Sequence, residues 1–270
     1  MKPAIEPGET ANREARAPGA GFDAVVFVHG FLDNRMVWKP LMRALYDAGI
    51  EVPAIAVDLR GAGERRKEED NCTLAQAVAD IERLFDEMHL SRIALVGHSM
   101  GTQIAELVAA ERSQQVAALV LVTPTPLAGN VLPDDVRALL RESGADPAAQ
   151  RGIRENFSKN LTDAQLDALV EPDVLMGKQA VRQYYDAFSI GDPRGNAPCT
   201  YHGPTLIIGA QDDPVIPPEQ IAAIHRERFS DAELRMVAQS GHWPHLEQPV
   251  EMAKLISTHL GMARQAAISL

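Results

Sequence analysis

Two scarcities in the 270-residue sequence narrow its class: it has few cysteines and no long apolar run. The only cysteines, Cys72 and Cys199, lie far apart and form no metal-ligand pattern, so neither a disulfide framework nor a metal site is predicted. No segment approaches the roughly 18 consecutive apolar residues of a membrane-spanning helix. Residues 1–7 also lack the apolar stretch of a signal peptide. We therefore expect a cytoplasmic protein with no membrane partner.

Positive charge is also scarce, since 26 Lys and Arg stand against 37 Asp and Glu and leave a formal net charge of −11. Nucleic-acid binding depends on Lys and Arg displacing counterions from phosphates, so no nucleic-acid partner is expected. In contrast, 46% of the residues are apolar, which is enough to form a buried core. The composition is that of an ordinary globular protein.

From about Phe22 onward, short β-branched apolar runs alternate with longer helical patterns, as in βαβ units that build one parallel sheet. The predicted strands are 24–28, 53–57, 93–96, 118–122, 205–208 and 233–237. The predicted covering helices are 38–48, 74–88, 102–112, 218–229 and 250–260. This pattern predicts an α/β fold.

The alternation divides the chain into four segments. Residues 1–21 are rich in Pro, Gly, Glu and Arg and are interpreted as a flexible lead-in. Residues 22–126 and 200–270 form the two parts of the α/β core. Residues 127–199 contain only helical patterns and are predicted to form an inserted helical cap, or lid, over the strand ends. The alternative is a helical appendage with no part in function.

The strand 93–96 runs into Gly97-His98-Ser99-Met100-Gly101 and then into a helix. This is the strand, sharp turn and helix that a nucleophile elbow requires, with Ser99 as the exposed nucleophile. As a bare pattern, G-x-S-x-G also occurs in ordinary tight turns. The flanking elements favour the nucleophile.

Acid and base candidates follow two later strands. A serine hydroxyl needs a general base, and the base needs a group that fixes its tautomer. Asp212 and Asp213 follow the strand 205–208, and His242 follows the strand 233–237. Because the carboxyl ends of parallel strands meet at one edge, these loops deliver an acid and a histidine to the elbow serine.

Three segments resemble motifs of the α/β-hydrolase superfamily, and the resemblance extends from about Asp23 to Leu260. They are the G-x-S-x-G of Gly97–Gly101, the D-P-V-x-P of Asp213–Pro217 and the G-H-W-P-x-x-E-x-P of Gly241–Pro249. The resemblance implies the α/β-hydrolase fold. That fold has a mostly parallel sheet of about six strands or more, helices on both faces and an inserted helical lid.

The same resemblance implies a triad of Ser99 as nucleophile, His242 as base and Asp213 as the acid. Asp212 is the alternative acid, because a count of three residues from Gly209 points to it. The oxyanion hole is expected from the backbone N–H of Met100, which follows the nucleophile, and of Phe31, in the loop after the first buried strand.

A serine at the elbow favours acyl transfer over the carboxylate chemistry of dehalogenases and epoxide hydrolases. We therefore expect hydrolysis of a small carboxylic ester or lactone through an acyl-enzyme, with no cofactor and no metal. The alternatives are a carbon–carbon bond hydrolase, perhydrolase, acyltransferase or hydroxynitrile lyase, or a non-catalytic small-molecule receptor. Apolar residues of the insertion can face the substrate; the candidates are Leu132, Leu139, Phe157, Leu161, Val174, Met176, Tyr184 and Phe188.

Overall fold

A computed structural model describes residues 4–5 and 21–268 of the chain. Within them, seven strands form one sheet. The strands are β1 (Ala4–Ile5), β2 (Ala24–Val28), β3 (Ala54–Val57), β4 (Ile93–His98), β5 (Val116–Val122), β6 (Thr205–Ala210) and β7 (Glu233–Val237).

The strand order is β1-β3-β2-β4-β5-β6-β7, and all neighbours from β3 to β7 are parallel. This confirms the predicted parallel sheet of six strands. β4 and β6 are each two residues longer than predicted, since Gly97-His98 and Gly209-Ala210 continue the strands where glycine suggested a turn.

β1 lies inside the segment predicted to be a flexible lead-in. It pairs antiparallel with β3, Ala4 opposite Ala56 and Ile5 opposite Ile55. Two residues are too few to give a periodic signal, so the sequence did not reveal this edge strand. The rest of that prediction, for residues 1–3 and 6–20, lies outside the described residues.

Ten α-helices occur in the described residues. They are α1 (Lys39–Asp47), α2 (Leu74–Glu87), α3 (Met100–Glu111), α4 (Asp134–Glu142), α5 (Pro147–Phe157), α6 (Asp163–Ala168), α7 (Lys178–Ile190), α8 (Pro218–Arg228), α9 (Pro244–Glu247) and α10 (Pro249–Ile268). None of them is both long and apolar enough to cross a membrane.

Helices cover both faces of the sheet, as predicted. Successive strand side chains point to opposite faces, so Val26 belongs to the buried cluster that includes α2, α3 and α8, whereas Val25 belongs to the cluster that includes α1 and α10. Strand residues buried on both faces explain the continuous apolar runs seen in the sequence.

The helices α4 to α7 lie between β5 and β6. α5 begins at Pro147 because Asp146 accepts a hydrogen bond from the Ala149 N–H at 3.0 Å and proline suits the first helical position. The insertion is joined to the core through Gln103 on α3, whose side-chain amide donates to the carbonyls of Pro126 (2.7 Å) and Phe188 (3.1 Å). These bonds hold the insertion against the strand ends where the predicted site residues lie.

Candidate active site

The turn between β4 and α3 holds Ser99 in a strained conformation, with φ +50° and ψ −122°. A Cβ at Gly97 would lie 2.5 Å from the Gly101 oxygen, and a Cβ at Gly101 would lie 2.4 Å from the Val28 oxygen. Both positions therefore exclude any side chain. The turn sets the serine at the end of β4, with only 8% of its surface exposed.

The three predicted residues Ser99, His242 and Asp213 form one hydrogen-bonded chain. His242 Nε2 lies 2.9 Å from Ser99 Oγ, and His242 Nδ1 lies 2.8 Å from Asp213 Oδ2. A carboxylate only accepts hydrogen bonds, so Nδ1 carries the proton and Nε2 has a lone pair for the serine hydroxyl. The arrangement suits removal of the Ser99 proton.

Backbone amides orient the acid. Asp213 Oδ1 accepts hydrogen bonds from the N–H of Val215 (2.8 Å) and of Ile216 (3.1 Å), which leaves Oδ2 for the histidine. The alternative acid, Asp212, instead forms an ion pair with Lys159, with Oδ1 2.7 Å from Nζ.

Charge and burial compete at His242. Burial lowers the pKa of this imidazole, but the charge of Asp213 and its hydrogen bond act in the opposite direction and prevail, so the pKa is raised above 6.5. A raised pKa means that the site stabilises the imidazolium form.

The two predicted oxyanion donors flank the elbow. Met100 is the first residue of α3, where the N-terminal amides have no partner within the helix. Neither its amide nor that of Phe31 donates a hydrogen bond to another described residue. A Cβ at Gly30 would lie 2.8 Å from His98 Nδ1 and 3.1 Å from Ser99 Cβ, so glycine allows this loop to lie against the elbow.

Two other histidines lie behind the site and make no hydrogen bond to Ser99. His98 Nε2 donates to the backbone carbonyl of His242 at 2.8 Å. His245 is fully buried between the rings of Trp38 and His98, each with its centroid 4.4 Å away. Burial lowers the pKa of both His98 and His245.

A cavity opens beside Ser99. Core and insertion both line it: Phe31, Leu32, Ser99, Met100, Thr125, Asn130, Leu132, Leu140, Ile153, Phe157, Phe188, Val215, His242 and Trp243. Of the apolar insertion residues named from the sequence, Leu132, Phe157 and Phe188 line it. Leu139, Leu161, Val174, Met176 and Tyr184 do not. Apart from His242, the wall carries no ionisable side chain.

Three residues near the site were not identified from the sequence. Thr125 Oγ1 lies 3.5 Å from Ser99 Oγ. Asp33 and Arg154 are fully buried and adjacent, with Oδ1 and Nη2 3.4 Å apart. Burial alone would raise the pKa of Asp33, but hydrogen bonds and charge from His98, Arg154 and Trp243 hold it well below its usual value. Only the position of Thr125, just after a predicted strand, offered a sequence signal.

Comparisons with known proteins agree with this fold. A family model described as alpha/beta hydrolase fold matches residues 23–249. The sn-1-specific diacylglycerol lipase of Mus musculus is 25% identical over 89% of this chain and 82% of its own length. The esterase structure from Exiguobacterium antarcticum has a TM-score of 0.79 at 23% identity, covering 90% of this chain and 93% of that one. The enol-lactonase structure from Burkholderia xenovorans LB400 has a TM-score of 0.75 at 18% identity, covering 96% of each. At these identities the structural likeness concerns the fold.

Proposed function

We propose that this chain, which belongs to the α/β-hydrolase family, is a serine hydrolase that cleaves a small, neutral carboxylic ester or lactone through an acyl-enzyme. The observation that carries the proposal is the buried chain Asp213, His242, Ser99, with hydrogen bonds of 2.8 and 2.9 Å. The names of the relatives support an ester-acting hydrolase in general. The bond cleaved and the residue roles are the proposed part.

In the acylation step, Ser99 Oγ attacks the carbonyl carbon while His242 Nε2 takes the hydroxyl proton. Asp213 stabilises the resulting imidazolium, and the N–H groups of Phe31 and Met100 stabilise the oxyanion. The intermediate collapses when the bond to the leaving oxygen breaks and His242 returns the proton to that oxygen. An alcohol leaves, or, from a lactone, the hydroxyl end of the opened ring.

In the deacylation step, His242 takes a proton from a water molecule that attacks the acyl carbon. A second oxyanion forms and collapses, the acid is released, and Ser99 Oγ regains its proton from His242. This sequence needs no cofactor and no metal.

The cavity wall supports a neutral, partly apolar substrate. Its surface is formed mainly by aliphatic and aromatic side chains, and a buried carboxylate or ammonium group on the substrate would find no opposite charge there.

We also propose that residues 127–199 act as a cap on a core formed by residues 22–126 and 200–270. This role is supported by five side chains of the insertion that line the cavity beside Ser99, namely Leu132, Leu140, Ile153, Phe157 and Phe188.

The test is the hydrolysis of p-nitrophenyl acetate and butyrate by the wild type, Ser99→Ala and the control Ser257→Ala, a partly exposed serine on α10. A fluorophosphonate probe is applied to the same three proteins. We expect turnover and labelling in the wild type and the control, and neither in Ser99→Ala. A wild type that neither turns over these esters nor becomes labelled at Ser99 would refute the proposal and favour a non-catalytic receptor.

A further inference from the structure

Arg154, on α5 of the insertion, extends into the core beside the proposed oxyanion loop, residues 30–34. Its side chain has no exposed surface. Nη2 donates a hydrogen bond to the Leu32 carbonyl and lies 3.4 Å from Asp33 Oδ1, and Nη1 donates to the Gln150 carbonyl at 3.2 Å. One guanidinium thus joins the inserted helix to the residues that follow Phe31.

Leu32 has a left-handed backbone, with φ +64°. A side chain makes a conformation with this φ unfavourable, so it persists only where the surroundings hold it. The bond from Arg154 to the Leu32 carbonyl is such a restraint, and it acts one residue from the proposed oxyanion donor, Phe31.

Asp33 extends the restraint to the rest of the site. Its Oδ2 accepts a hydrogen bond from Trp243 Nε1 at 3.0 Å and lies 3.6 Å from His98 Nδ1. Trp243 follows the proposed base, and His98 precedes Ser99. The carboxylate, itself part of the oxyanion loop, therefore lies against the segments that carry the proposed nucleophile and the proposed base.

The C-terminal end of α5 is bonded to the base loop. The Phe157 carbonyl accepts a hydrogen bond from the His242 N–H at 2.8 Å. A Cβ at Gly241 would lie 2.5 Å from the same carbonyl oxygen, so the two segments are in close contact. α5 thus braces the oxyanion loop through Arg154 and the base loop through Phe157.

A buried ion pair often stabilises a fold no more than apolar residues of the same volume, because both charges lose their hydration. Arg154 instead provides directional hydrogen bonds, since its guanidinium fixes the Leu32 carbonyl and the Asp33 carboxylate at the same time. We infer that Arg154 is a positioning residue that holds the strained oxyanion loop in its active conformation. This inference rests on the proposed function.

The test compares Arg154→Met with Arg151→Met. Arg151 lies on the same helix, but its ion pairs with Asp163 and Asp167 are on the partly exposed side. Two readouts are used: kcat and KM for p-nitrophenyl butyrate, and hydrogen exchange of the peptide that spans residues 29–34. For Arg154→Met we expect a roughly 10- to 100-fold lower kcat, a KM within about threefold of the wild type, and faster exchange in that peptide. Arg151→Met should match the wild type in both.

A pair of inhibitors distinguishes a specific loss of oxyanion binding from a general loss of structure in the cavity. An aryl trifluoromethyl ketone forms a hemiketal oxyanion with the serine, whereas the corresponding aryl alcohol only occupies the cavity. Arg154→Met should weaken binding of the ketone by the same factor by which it lowers kcat, and it should leave the affinity for the alcohol unchanged. Equal weakening of both inhibitors would overturn the inference.

Arg154→Met leaves Asp33 buried without its cation and can prevent folding. Two further variants therefore accompany it. Arg154→Lys keeps the charge without the two-armed donor. Arg154→Met combined with Asp33→Asn removes both charges, while the side-chain amide oxygen introduced by the second substitution still accepts from Trp243. Both variants should lose kcat and ketone affinity while keeping the affinity for the alcohol, as Arg154→Met does. The loss should be smaller in Arg154→Lys.

The outcomes separate this inference from the proposed function. If the wild type is an active esterase but exchange in residues 29–34 is the same in Arg154→Met and Arg151→Met, the inference is overturned and the proposed function stands. If the wild type shows no turnover and no labelling, the proposed function falls. The exchange comparison then still decides whether Arg154 holds the loop.

Discussion

His98 Nε2 donates a hydrogen bond to the backbone carbonyl of His242 at 2.8 Å, so the residue before the proposed nucleophile holds the backbone of the proposed base. Thr123 Oγ1 donates to the same carbonyl at 3.3 Å. The position of the imidazole relative to Ser99 Oγ therefore depends on side chains from both β4 and the segment after β5.

His98→Ala should lower kcat roughly tenfold, because the His242 carbonyl loses one of its two donors and the base moves away from Ser99. His98→Gln retains a side-chain N–H donor and should lose less. Steady-state kinetics of both variants with p-nitrophenyl butyrate provide the measurement. Identical losses in the alanine and glutamine variants would show that packing, rather than this hydrogen bond, supports the base.

The pH profile should report the raised pKa of His242. Only the neutral imidazole accepts the Ser99 proton, so kcat/KM should rise with pH through a pKa above the ordinary value of 6.5. In Asp213→Asn the effect of burial remains while the carboxylate is lost. The midpoint should therefore move to lower pH, and kcat should fall by roughly 10³ to 10⁴.

Asp212→Asn is the control for this profile, since that carboxylate pairs with Lys159. This substitution should leave the midpoint of the kcat/KM profile at the same pH as in the wild type. A midpoint that moves in Asp212→Asn and stays fixed in Asp213→Asn would reverse the assignment of the acid.

Gly101→Ala should destabilise the fold and abolish activity, because the new Cβ would lie 2.4 Å from the Val28 oxygen and push the elbow away from β2. Overpacking of this kind costs about 1–3 kcal/mol. Gly152→Ala is the matched control: its Cβ would meet nothing within 4 Å, and on α5 it should stabilise by about 0.5–1 kcal/mol. Urea unfolding of both variants provides the free energies.

A substrate comparison tests the neutral wall of the cavity. The p-nitrophenyl monoester of succinic acid places a carboxylate where the butyrate ester has a methyl group, so burial of that charge should reduce kcat/KM roughly 100-fold or more. Leu132→Lys adds a cation to the wall and should narrow the difference between the two esters, whereas Leu132→Met should preserve it. Equal turnover of both esters by the wild type would contradict a neutral substrate.

The sheet and the loops that bear Ser99, Asp213 and His242 were predictable, because buried parallel strands leave continuous apolar runs and polar motifs at their ends. The resemblance to D-P-V-x-P favoured Asp213 as the acid, whereas a count from Gly209 pointed to Asp212, because one residue of strand length decides which carboxylate turns inward. In the structure Asp213 Oδ2 lies 2.8 Å from His242 Nδ1, and the bonds from the Val215 and Ile216 amides fix this carboxylate.

Arg154 could not be recognised from its local sequence. It occupies α5 as Arg151 does, and an arginine in an amphipathic helix is expected to be exposed. Its burial depends on Leu32 and Asp33, more than a hundred residues away, and on a turn whose left-handed backbone no local pattern indicated. Long-range pairing of this kind requires the folded structure.

The bond between the Phe157 carbonyl and the His242 amide bears on how this protein could be re-engineered. A chimera that exchanges residues 127–199 as one block would bring a foreign helix to the backbone of the base. Grafts that replace α4 and keep Arg154 to Phe157 would change the cavity lining at Leu140 and leave the bonds to the oxyanion and base loops in place. The part of the insertion that can be exchanged therefore ends inside α5, at Arg154, and not at the two ends of the insertion.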